Sequence, residues 1–161
     1  MHQTGSTGTI ADALIPRSNI QINILVDAAI VLGFAVLTGL AAQIKVYLNP
    51  AVPITGQTFA VLLAGATLGS KRGGASMLVY LSAGIAGIPV FASGGAIPGI
   101  SRGYLLGFVA AAVIVGDLSE RGWSLNLPKM VVAMFIGEVA IYAFGLPWLG
   151  FYIPNEVLAD R

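Results

Sequence analysis

Few side chains in this sequence can do chemistry, and most of those lie in or beside apolar runs. Glu138 sits in the middle of FIGEVAIY. A carboxylate in hydrocarbon costs about 2.5–3.5 kcal/mol or more, so it belongs in a bundle interior or a cavity. Two roles fit it: a polar contact to a bound ligand, or a helix-to-helix hydrogen bond made while protonated. Tyr142 follows one helical turn later on the same face and can share either role. Arg102, in ISRGYLLGF, stands just before an apolar run. Its guanidinium there can clamp a ligand carboxylate, or anchor to lipid headgroups with Tyr104 in the interfacial belt. The stretch Val52–Phe59 (VPITGQTF) puts Thr55, Gln57 and Thr58 at the mouth of a short apolar segment. Irregular backbone at membrane depth persists only inside protein or along a cavity. The stretch therefore reads as a pocket rim or as an ordinary helix start.

Catalytic motifs are missing. No GxxxxGK[ST] cradles a nucleotide, no HExxH or GxSxG occurs, and no carboxylates pair at helical spacing. The expectation is a non-enzyme with no catalytic residue and no resident cofactor. Zero cysteines remove thiolate zinc sites and thiol nucleophiles, and the one histidine, His2, cannot build a metal site by itself. A net charge of +1 excludes the basic patch that nucleic acid needs. The glycines at Gly94, Gly95 and Gly99 follow no strand and read as a turn.

Positioning these residues falls to membrane helices. The chain of 161 residues is 57% hydrophobic and only 9% charged, with a mean hydropathy of +0.87. A soluble domain carries about a quarter charged residues; lipid is the surrounding that removes the conflict. The expected spans are residues 24–44, 57–68, 74–90, 103–115 and 130–146, the second too short to cross unaided. The breaks NPAVP, GSKRGG, ASGGAIPG and ERGWSLNLP are dense in Gly, Pro and Asn. A polar leader, residues 1–23, lacks signal-peptide features. The bundle then occupies residues 24–150, and residues 151–161 form a short polar tail. The reading is a multi-pass plasma-membrane protein, all-α, in contact with lipid. With the N-terminus cytoplasmic, Arg17, Lys71, Arg72, Arg121 and Lys129 lie inside, against Lys45, Arg102 and Arg161 outside.

The block PAVPITGQTFAVLLAGATLGSKRGGASMLVYLSAGIAGIPVFASGG, followed by GYLLGF and GEVAIYAFGLPWL, resembles the BioY family, the biotin-specific S components of energy-coupling factor (ECF) transporters. The resemblance covers residues 25–150. It implies a bundle of six helices, about five of them present here, with biotin held beneath the loops near residues 45–56, 91–102 and 147 onward. Biotin is then the transported ligand, and Thr55, Gln57, Arg102, Tyr104, Glu138 and Trp148 are its candidate contacts. Arg102 would meet the valerate carboxylate, and Glu138 or Gln57 the ureido group. A T component and ATPase subunits are the implied partners, docked through small residues on the first span: Ala35 and Gly39, continued by Ala42, or alternatively Ala29 and Gly33. The family's Pro-Gly-Asp-x-x-Lys motif, which opens its sixth helix, has no match after PWLGFYIPNEVLA. An S component for another vitamin, or a bundle that docks without binding ligand, are the alternative readings.

Overall fold

The computed structural model describes residues 9–14, 20–46, 54–92 and 101–159. His2, Arg17, Val52, Pro53 and the glycines at 94, 95 and 99 lie outside the described residues. The elements are helices α1 (Ile10–Leu14) and α2 (Ile20–Ala41), strands β1 (Lys45–Val46) and β2 (Ile54–Thr55), and helices α3 (Gln57–Ile85), α4 (Arg102–Glu120) and α5 (Leu127–Ala159). A 3-10 turn at Trp123–Leu125 joins the last two helices.

The chain reverses inside α3. Gly69 has φ 84° and ψ −178°, a backbone state that glycine reaches without penalty. A Cβ at Gly73 would lie 3.1 Å from the Gly65 Cα, whereas residues that far apart in one straight helix would be separated by about 12 Å. Residues 57–68 and 70–85 therefore pack as an antiparallel pair. Glu120 caps the second half's start, its Oε1 accepting from the Ser70 N–H and Oγ at 2.8 and 2.9 Å. These bonds satisfy a helix N-terminus that would otherwise keep free donors.

Small residues set the helix order. A Cβ at Gly65 would collide with the Ala112 carbonyl, and one at Gly116 with the Gly69–Ser70 backbone. Both contacts keep the same separation in sequence, so α4 runs parallel to the first half of α3. Ser119 Oγ reinforces the contact by donating to the Ala66 carbonyl at 2.6 Å. On its other side α4 meets an antiparallel α5, where Gly107 leaves room for the Ile141 backbone and Gly103 for Trp148. Opposite, α2 runs parallel to the second half of α3, with Ser76 Oγ donating to the Val31 carbonyl at 2.9 Å. The core between them holds Ala35, Val61, Met77, Tyr80, Phe108, Val115 and Ile141.

Among the described residues, three helices are long and apolar enough to cross a membrane: Gln21–Ala41, Arg102–Glu120 and Leu127–Phe151. Leu32, Val36 and Leu40 on α2 and Phe135, Val139 and Phe151 on α5 are exposed, as lipid-facing side chains must be.

Several boundaries differ from expectation, each for a physical reason. The span expected at 24–44 is Ile20–Ala41, because Gln43 N–H and Ile44 N–H turn back to the Leu40 and Ala41 carbonyls. The expected break at GSKRGG narrows to Gly69, and residues 71–74 belong to the second half, which stops at Ile85 rather than near Val90. The fourth span runs on to Glu120 beyond Val115. The fifth starts at Leu127 and continues through Pro147 and Pro154 to Ala159 instead of ending near Leu146. Prolines are tolerated in membrane helices when neighbouring groups take up the freed backbone carbonyls. The leader holds the short helix α1, and the small hairpin of β1 and β2, pairing Lys45 with Thr55, had no sequence signal.

Candidate functional site

The helix directions decide which side chains meet. If the shared register of α3 and α4 is carried to their N-terminal ends, Thr55 comes level with Arg102 and Gln57 with Tyr104. The antiparallel α5 brings Tyr142 and Trp148 toward the same end, where five of the six sequence candidates lie; Glu138, a further turn down α5, comes level with Ala110 near the middle of the bundle.

Two clusters make up this end. In the first, Thr55 Oγ1 donates to Gln57 Oε1 at 3.0 Å. Gln57 Nε2 donates to the Tyr80 hydroxyl, and Tyr80 donates on to the Val90 carbonyl at 3.2 Å. Gln57 is buried and Tyr80 only 1% exposed. Phe91 packs edge-on to Tyr80 with ring centroids 5.4 Å apart, in space that Gly84 leaves by lacking a side chain. Lys45 Nζ donates to the Ala92 carbonyl at 2.7 Å. The segment 90–92 is thus tied to the hairpin and to the start of α3.

In the second cluster, Tyr104 and Tyr142 meet edge-to-face with centroids 5.9 Å apart. The Tyr104 ring lies over Gly145, and Trp148 over Gly103. Glu138 is half-buried, and among the described residues no hydrogen bond or ion pair reaches its carboxylate. Arg102, the first residue of α4, is exposed. Aromatic rings, a carboxylate, an amide and a guanidinium are the kinds of group that hold a small molecule with an apolar body and polar ends.

The opposite end is polar and built differently. Arg72 bridges two carboxylates, Asp12 of α1 at 2.8 Å and Asp27 of α2 at 3.3 Å. Thr9 Oγ1 donates to Asp12 Oδ2 at 2.8 Å and accepts from the Asp12 N–H. Partial burial pushes the Asp12 pKa up, but the hydrogen bonds from Arg72 and Thr9 outweigh it and hold the carboxyl well below the usual range.

The small-residue pairs on α2 separate into two kinds. Ala35, Gly39 and Ala42 are buried, and a Cβ at Gly39 would lie 3.4 Å from Val90. Packing inside the chain takes up Ala35 and Gly39. Ala29 and Gly33 are exposed, and among the described residues nothing stands within 4 Å of a Cβ built on Gly33. Sequence reasoning missed Tyr80, Lys45 and Arg72. Tyr80 alone carried a signal, since a tyrosine in an apolar helix needs a partner for its hydroxyl.

Known proteins share this sequence pattern and this fold. The BioY family model matches residues 14–159. A probable biotin transporter BioY of Lysinibacillus sphaericus is 43% identical over 119 residues, 72% of this chain and 60% of its own length. One from Pyrococcus horikoshii is 40% identical over 131 residues, 79% of this chain and 76% of its own. The biotin transporter BioY of Rhizobium etli is 34% identical over 136 residues, 78% of this chain and 72% of its own. The chain thus spans three-fifths to three-quarters of these relatives. The crystal structure of the S-component for biotin from an ECF-type ABC transporter superposes with a TM-score of 0.71, over 86% of this chain and 78% of that one. At 21% identity that match fixes the fold, an S-component helical bundle. With the family model matching nearly its whole length, the chain belongs to the BioY family.

Proposed function

We propose that this chain is the biotin-binding S component of an ECF-type uptake transporter. The observation that carries the reading is a membrane bundle of this family with Thr55, Gln57, Arg102, Tyr104 and Trp148 toward one end and Glu138 deeper on α5. That end faces outward, with the N-terminus and the Arg72 cluster in the cytoplasm; the five-to-three split of basic residues supports this. Arg102 takes the ligand carboxylate, Gln57 and Glu138 the ureido group, and the tyrosines with Trp148 cover the apolar body. The chain does no chemistry on its cargo. A T component seats on the exposed Ala29–Gly33 strip of α2, where backbones can approach closely, and ATPase subunits supply the energy.

Radiolabelled biotin binding to the purified chain in detergent, with competition by other vitamins, tests this. Saturable binding displaced by biotin alone is the expected result. Displacement by a different vitamin, or no binding beside normal co-purification with a T component, would replace the reading.

A further inference from the structure

The Gln57 amide is held in one orientation by a chain of forced donors and acceptors. The Val90 carbonyl can only accept, so the single Tyr80 proton is spent on it. The Tyr80 oxygen must then accept, which turns the NH2 of Gln57 toward it. The amide oxygen is left to face Thr55, whose hydroxyl donates to it. Tyr80 itself cannot swing, being 1% exposed and edge-on to Phe91. One amide hydrogen and one lone pair of Oε1 remain, with the nitrogen and the oxygen in a fixed order.

We infer that Tyr80 is a positioning residue, which acts through Gln57 to fix the donor–acceptor order offered to the cargo. A cyclic urea, with its carbonyl beside an N–H, is the chemical class that matches such an edge. This rests on the biotin-binding reading for its ligand, though not for the geometry.

The test labels the glutamine side chains of the full chain with 15N, in detergent, and compares wild type with Tyr80→Phe. The expected result is that the Gln57 amide signal shifts and its two protons lose their separation. Biotin affinity falls about five- to tenfold, as for one neutral hydrogen bond, and Tyr80→Phe adds nothing further in a Gln57→Ala background. Ser119→Ala serves as the control for bundle stability: it removes a buried hydrogen bond at the other end and leaves affinity unchanged. An unmoved Gln57 signal, or Tyr80→Phe and Gln57→Ala losses that multiply, would overturn the inference. A wild-type chain that binds no biotin would instead overturn the functional reading, while the amide signal still decides the role of Tyr80.

Discussion

Glu138 shows how a site and a fold compete for one residue. Its carboxylate is half-buried in α5 and has no partner among the described residues, so it costs stability wherever the ligand is absent. Glu138→Leu is expected to raise the melting temperature of the ligand-free protein and to lower biotin affinity by on the order of tenfold; thermal unfolding and binding in the same detergent check both. On α2 the contrast lies between glycines. Gly33→Leu is expected to abolish co-purification with a T component while biotin binding stays intact, because nothing among the described residues stands within 4 Å of a Cβ there. The ionisable and aromatic candidates were legible because a polar group in an apolar run stands out. Lys45 was not, since its contact with Ala92 depends on a loop-to-loop approach that no local pattern encodes.

At the scale of elements, the reversal in α3 depends on one residue. Gly69→Ala puts a side chain at φ 84° and into the space of Glu120 and Thr9. We expect a loss of roughly 1–3 kcal/mol, the usual cost of a strained backbone site, measurable as earlier unfolding in a denaturing-detergent titration. Apolar runs and turn residues made all five long segments readable, with ends wrong by several residues. The largest error, at α5, came from reading residues 151–161 as a short polar tail, whereas the helix continues to Ala159. Pro147 and Pro154 do not stop it, since membrane helices tolerate proline. The hairpin of β1 and β2 was invisible, because two-residue strands carry no periodicity.

For the molecule as a whole, Arg72 fastens α1 and α2 to α3 at the polar end. The folded-state pKa of Asp12 lies below its unfolded value of about 3.9. Its contribution is therefore complete above that pH and fades as pH falls toward the folded value. Asp12→Asn is expected to lower the melting temperature at pH 7, with the gap to wild type closing as the pH drops below about 4. A melting series across pH checks this. No sequence pattern foretold the cluster, because it joins three separate elements. The reversal at Gly69 also bears on biosynthesis. The half of α3 before it rises only about 18 Å, against a hydrocarbon core of about 30 Å. It cannot be released into lipid as it leaves the ribosome, and its mostly buried surface needs α4 to cover it. Residues 57–68 must wait until α4 has been made, so the order of assembly departs from the order of synthesis.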